Sequence, residues 1–344
     1  MNSSVPENYK CRIAVDAMGG DFAPQNTVIG AVQALNENKN FELYLVGREK
    51  EILDIISGNN LSFEKKNIIN ADEVIEMGES PTSALKKKTN SSIVIGAKLV
   101  KDKKAEAFVS AGNTGAMMAA STLIMGRIPG VGRPTIGTIF PNEAGVSTVF
   151  DVGASVDSKP IHLLEYAIMG TIYTSEIYGI ENPKVGILSV GEEESKGNDI
   201  TIAASALIKK TNLNFVGNVE GRDILKGTVH VVVCDGFVGN ILLKFGEGVL
   251  NYLKYKLKDY AERNFFNKLK VGLVKNTLKD ILKEFDYQEY GGVPLLGVNG
   301  ISIIGHGSST PKAIKNMVLR ANEMHSKKLI QKISKSINQY SNLS

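Results

Sequence analysis

The chain has 344 residues, 43% hydrophobic and 22% charged, ordinary values for a globular protein with a substantial core. Its formal net charge of +4, with no basic run interleaved with aromatics, argues against nucleic acid as a partner. Two cysteines, Cys11 and Cys234, stand in no CxxC or metal-ligand spacing, which excludes a disulfide framework and fits a reducing cytoplasm.

Met1 to Lys10 is polar and reads as an extension rather than a signal peptide. A single α/β catalytic domain is expected over 11–338. Arg12 to Val15 predicts a strand, followed by a helix from Pro24 to about Leu35, since proline suits a first helical turn. Phe41 to Val46 reads as a strand, Arg48 to Ser57 as a helix, and Phe63 to Ile69 as a strand. Ala107 to Ser110 is a short strand feeding a helix of small residues and Met. Thr135 to Phe140 and Ser147 to Phe150 are strands around a Pro-Asn-Glu-Ala-Gly turn, and Pro160 to Tyr178 is a helix. Lys184 to Val190, Val229 to Cys234 and Ile301 to Ile304 are strands, each leading through a polar loop into a helix. This alternation predicts a mostly parallel sheet covered by helices, with ligands outside the carboxyl ends of the strands. No stretch approaches the ~18 apolar residues of a spanning helix.

The loops at those strand ends carry the chemistry. Gly112-Asn113-Thr114-Gly115 opens a helix, where free N–H groups and the helix dipole favour an anion. Gly305-His306-Gly307-Ser308-Ser309 has the same form; it falls short of a dinucleotide fingerprint because Thr310 replaces the last glycine. His306 is a candidate general acid or oxyanion donor. Gly191-Glu192-Glu193-Glu194-Ser195-Lys196-Gly197 contains one cation, Lys196, suited to a phosphate or acyl oxygen. Asp235-Gly236-Phe237-Val238-Gly239-Asn240 places Asp235 and Asn240 at a strand-to-helix turn. Asp16 and Asp21 flank Gly19 and Gly20, to pair with a cation or to position a water or substrate hydroxyl. Arg133 either clamps a phosphate or orders its glycine-rich loop. No cluster has metal-ligand spacing, so no metal is expected. Met117 and Met118 either line an acyl slot or pack a helix. Within Asn251 to Glu284, eight Lys and one Arg face four carboxylates. With its periodic apolar residues, 250–290 predicts a basic amphipathic helical hairpin. Such an element suits an anionic membrane surface, an acidic carrier protein or a dimer interface.

Ile13-Ala14-Val15-Asp16-Ala17-Met18-Gly19-Gly20-Asp21 resembles the opening signature of the bacterial phosphate acyltransferases of phospholipid synthesis. Ser110 to Gly115, Gly126 to Pro134, Asp151 to Ala154, Gly191-Glu192-Glu193, Val232 to Asn240 and Tyr290 to Ser309 match the same family in order. Ser155 departs from the family's usual asparagine. The resemblance implies a three-layer α/β/α fold, isocitrate dehydrogenase-like and phosphotransacetylase-like. It implies acyl transfer from acyl carrier protein to inorganic phosphate, without cofactor, by a homodimer at the inner face of the cell membrane. It further implies a hand-off of acyl phosphate to a membrane glycerol-3-phosphate acyltransferase. On this reading the Gly112–Gly115 or Gly305–Ser309 turn holds phosphate. Lys196, Asn113 or Asn240 stabilises the oxyanion, and His306 protonates the departing sulfur. The alternative is a short-chain phosphotransacetylase using acyl-coenzyme A.

Overall fold

The protein is described by a computed structural model over residues 10–340, so nine of the ten residues of the polar extension lie outside the described residues. The first half of the chain runs β1 (Cys11–Asp16), α1 (Gln25–Glu37), β2 (Phe41–Gly47), α2 (Glu49–Gly58), β3 (Ile68–Asn70), α3 (Pro81–Lys87), α4 (Ser92–Lys101), β4 (Ala107–Ser110) and α5 (Thr114–Ala120). A π-helical turn, Ser121–Met125, extends α5. Then come β5 (Thr135–Asn142), β6 (Gly145–Phe150), α6 (Pro160–Tyr178), β7 (Val185–Leu188), α7 (Asp199–Ile208), β8 (Phe215–Val219), α8 (Gly221–Lys226) and β9 (Val231–Val233). The chain closes with α9 (Gly236–Glu262), α10 (Phe265–Leu282), α11 (Tyr287–Tyr290), β10 (Val293–Leu296), β11 (Ile301–Ile304), α12 (Pro311–Ser326) and α13 (Leu329–Gln339).

All eleven strands join one sheet in the order β3-β2-β1-β4-β11-β10-β5-β6-β9-β7-β8. Its strands are short apolar runs because most of them are buried on both faces. Along β1, Ile13 and Val15 enter the core on one face while Ala14 enters the core on the other. The sheet is mostly parallel, but three consecutive pairings, β11–β10, β10–β5 and β5–β6, are antiparallel. An odd number of reversals makes the sector β3-β2-β1-β4-β11 run opposite to the sector β6-β9-β7-β8. The strand directions place the glycine-rich loops at two edges of the sheet.

The predicted strand from Phe63 shortens to Ile68–Asn70, with a 3-10 turn at Lys65–Asn67. Glu64, Lys65 and Lys66 are consecutive and exposed, so they cannot alternate across a buried sheet. Met117 is fully buried in the core and Met118 packs beside it, which favours helix packing over an acyl slot. Helix α6 is apolar around most of its circumference and lies in the core. Helices α9 and α10 are the opposite case: α9 buries only Gly236 and Gly239, and α10 buries none of its residues. No helix among the described residues is long and apolar enough to cross a membrane.

Close packing of α1 on α12 depends on Gly30, where a Cβ would lie 2.4 Å from the Pro311 carbonyl oxygen. Gly30→Ala is expected to destabilise the fold by about 2 kcal/mol, read as a lowered urea midpoint at unchanged slope.

Candidate functional site

Strands β1 and β11 both lie parallel to β4, so the loops after these three strands leave the sheet side by side. Asp16 ends β1 fully inside the protein. Its carboxylate accepts the Ser110 hydroxyl (2.7 Å) and the Met18 N–H (3.1 Å). Ser110 Oγ in turn accepts the Gly112 N–H (3.0 Å). One acid therefore joins the first loop to the second, and burial pushes its carboxyl up against the opposing hydrogen bonds. Gly19 packs directly on this carboxylate.

The third loop docks through the Asp21 N–H to the Gly307 carbonyl (2.7 Å) and the Gly305 N–H to the Ser110 carbonyl (2.8 Å). Gly20, at φ +116°, lies against the same Gly307 carbonyl. His306 is exposed, and its Nδ1 accepts the Ser308 N–H (3.2 Å), which puts the proton of the neutral ring on Nε2. Ser308 Oγ lies 2.8 Å from the same nitrogen. Ser309 Oγ donates to the His306 carbonyl (2.6 Å), and Thr310 caps α12. Thr114 and Gly115 form the first turn of α5. The structure thus brings Asp16, Gly19, Gly20, Asp21, Gly112, Asn113, Gly305, His306, Gly307, Ser308 and Ser309 into one cluster.

Asn113 faces inward within this cluster. Its Nδ2 donates to the carbonyls of Glu76 (3.0 Å), Met77 (3.1 Å) and Glu79 (3.0 Å), and its Oδ1 caps α5 through the Ala116 N–H (2.9 Å). With donors and acceptor so engaged, the amide orders the 76–79 loop. The expected oxyanion role gives way to a positioning one.

A second cluster forms where β6 and β9 end and β5 begins. Asp151 is fully buried and accepts the N–H groups of Ile136 (3.1 Å), Ala154 (3.0 Å) and Ser155 (2.8 Å). Gly236 and Gly239 press on it: added Cβ atoms would lie 2.5 Å from Asp151 Oδ2 and 1.8 Å from Asp151 O. Asp235 caps α9 by accepting the Val238 N–H (3.0 Å), and the exposed Asn240 lies one turn on, against Gly153. Glu165 accepts the N–H groups of Gly132 (2.9 Å) and Arg133 (3.3 Å), which fixes the backbone of the Arg133 loop. The Arg133 guanidinium itself is exposed. His162 accepts the Lys159 N–H at Nδ1 (3.1 Å). Burial and the nearby Arg133 hold its imidazole below the usual range.

The 191–197 loop follows β7, a strand of this second sector. Glu192 pairs with Arg222 and Glu194 with Lys209, while Asn218 donates to the Glu193 carbonyl. Lys196 is exposed and makes no ion pair among the described residues. Lys196, Asn240 and Asp235 therefore belong to the sector opposite His306. Sequence reading named Ser110 and Asp151 only as members of family motifs, without a role, and missed His162 and Glu165. Asp151 carried a usable signal, an acid directly after an apolar strand and just before a glycine, as at Asp16. Among the described residues no group of three or more His, Cys, Asp or Glu side chains is placed to hold a metal ion.

Burial raises the Asp151 carboxyl, so the folded state holds that proton more tightly than the unfolded chain. Its contribution to stability is full at low pH and is lost as pH rises through the folded pKa. Asp151→Asn is expected to destabilise by about 2 kcal/mol, because an amide N–H must then face the Ser155 N–H. The deficit relative to wild type should be widest in acid and narrow as pH rises above about 4. Urea unfolding across that range reads it, and a deficit independent of pH would refute the raised carboxyl.

Comparison with known proteins fits this architecture. A family model described as "Fatty acid synthesis protein" matches residues 11–332. The chain is 49% identical over 329 residues to a phosphate acyltransferase of Halothermothrix orenii, covering 95% of this chain and 98% of that one. It is 48% identical over 326 residues to a phosphate acyltransferase of Pelotomaculum thermopropionicum, covering 95% of each. A phosphotransacetylase from Streptococcus pyogenes superposes with a TM-score of 0.61 at 18% identity, covering 92% of this chain and 94% of that one. The EutD phosphotransacetylase from Staphylococcus aureus gives 0.58 at 17%, with the same coverage. These two share the fold. With near-complete coverage at almost half identity, and the glycine-rich loops in place at the strand ends, the chain belongs to the phosphate acyltransferase family.

Proposed function

We propose that the chain moves a fatty acyl group from the thioester of acyl carrier protein to inorganic phosphate, forming an acyl phosphate. The observation that carries this reading is the convergence of three glycine-bearing loops, after β1, β4 and β11, on one exposed histidine at the start of α12. The α12 N-terminus offers a positive dipole end to an anion, although Pro311 has no N–H and Ala313 gives its own to Thr310. Phosphate is largely anionic near neutral pH, by analogy with a second pKa of about 6 for phosphoesters, so orientation matters more than a strong base. A phosphate oxygen attacks the carbonyl carbon, the C–S bond breaks, and the thiolate takes a proton. His306, with its proton on Nε2, is the donor in this scheme. Asp16 and Asn113 hold the loops, and Lys196, Asn240 and Asp235 serve from the second sector.

The proposal extends to a homodimer of single-domain chains, supported by the sequence resemblance. It also places the chain in the cytoplasm, at the inner face of the cell membrane. Helices α9 and α10 support that placement, since they pack on each other and expose Phe245, Phe265, Phe266, Leu269 and Leu273 among lysines. Acyl phosphate made there passes to a membrane glycerol-3-phosphate acyltransferase.

Purified protein with a long-chain acyl carrier protein is expected to release free carrier thiol only when phosphate is present. No release from a folded chain, with turnover of acyl-coenzyme A instead, would move the assignment to a phosphotransacetylase. His306→Ala should lower kcat by about 10² to 10⁴ with little change in the KM for phosphate; full activity would remove His306 from the scheme. Replacing Phe265 and Phe266 with Asp should abolish co-flotation with anionic phosphatidylglycerol vesicles while thiol release in solution is kept.

A further inference from the structure

A cavity of about 400 Å³ opens in the second sector, in the size range of small-ligand sites. Arg133 and Lys159 line it with Asp235, Ser158, Val156 and Phe237. The two cations make no ion pair among the described residues, so their charge is available. Both also act electrostatically on the buried His162 behind the wall. Val156 and Phe237 are 71% and 59% exposed, large values for apolar side chains at a cavity mouth. Ser158 is 7% exposed, and its hydroxyl lies against that of Tyr166 behind the cavity wall.

The lining is mixed in a particular way. It offers two cations, apolar walls and a carboxylate, Asp235, whose Oδ1 already caps α9. Inorganic phosphate would use the cations alone and leave the apolar walls and the second Asp235 oxygen without partners. A longer ligand uses the whole set: an anionic phosphate at the cations, amide N–H groups for Asp235, and methyl and methylene groups for Val156 and Phe237.

We infer that this cavity holds the phosphopantetheine arm of the thioester donor, with its phosphate between Arg133 and Lys159. The inference rests on the acyl-transfer reading and assigns the donor's arm to this cavity. The arm is common to acyl carrier protein and coenzyme A, and the distinction between them lies beyond the arm.

Calorimetric titration of the full chain with 4′-phosphopantetheine, pantetheine and inorganic phosphate tests the site without requiring turnover. The phosphorylated arm is expected to bind at least about tenfold more tightly than pantetheine, the worth of one charge-assisted hydrogen bond. Lys159→Ala should erase that difference, Lys159→Arg should restore it, and millimolar inorganic phosphate should not displace the arm. In turnover assays Lys159→Ala should raise KM for both acyl carrier protein and acyl-coenzyme A, and leave KM for phosphate and for acyl-pantetheine unchanged. A larger effect on the carrier than on the coenzyme would place its source in the carrier's own contacts with Lys159 and overturn a site for the arm alone. Equal binding of the two arms, displacement by inorganic phosphate, or a rise in the KM for phosphate would also overturn the inference. Selective arm binding without phosphate-dependent thiol release would leave the site standing and sink the acyl-transfer reading.

Discussion

Two carboxylates buried at the ends of strands hold this molecule's working surface in shape. Asp16 ends β1 in the middle of one parallel sector, Asp151 follows β6 at the inner edge of the other, and each accepts hydrogen bonds from neighbouring backbone or side chains. Taking a carboxylate out of water is unfavourable, as the raised carboxyls of both residues show. The hydrogen bonds offset that penalty only while every partner stays in place. Glycines then close over each acid, Gly19 on Asp16 and Gly236 with Gly239 on Asp151, at distances no side chain could share. The loops are therefore fixed before any ligand arrives, as orientation-dependent catalysis requires.

The three antiparallel pairings in the centre of the sheet decide how those two assemblies are used. They turn one half of the sheet against the other, so the histidine loop and the cation-bearing loops leave in opposite directions. The reversal depends on β10, a four-residue strand that contains Pro294 and follows Gly291 and Gly292.

Much of this was readable from residue patterns. Alternation of β-branched runs with amphipathic stretches located β1, β2, β4, β11 and α6 closely, because local sterics and burial act within a few residues. Strand direction was not readable, since a short apolar run looks the same pointing either way. Helices α3 and α4, with their mixed lysines and small residues, and the short β10 gave no clear period. The glycine-rich loops announced themselves by composition, but the use of each side chain did not. Asn113 looked like a ligand donor because its carbonyl partners, Glu76, Met77 and Glu79, stand 34 to 37 residues away in sequence. His162 and Glu165 were hidden inside an apolar helix whose neighbours are set only by the folded chain.

Helix α9 has a mechanical consequence. It starts at the Asp235 cap, is pinned by Gly236 and Gly239 against Asp151, and then runs 27 residues, about 40 Å at 1.5 Å per residue. It is a beam clamped at one end, with its free end carrying the apolar load of α10. A tilt of about 5° would sweep the far end through roughly 3 Å while displacing the root by a small fraction of an ångström. The root has no slack, because the glycine contacts already sit at their closest approach. Any torque on the outer end is therefore delivered, geared down, to the Asp151 loop and the Phe237 side of the cavity.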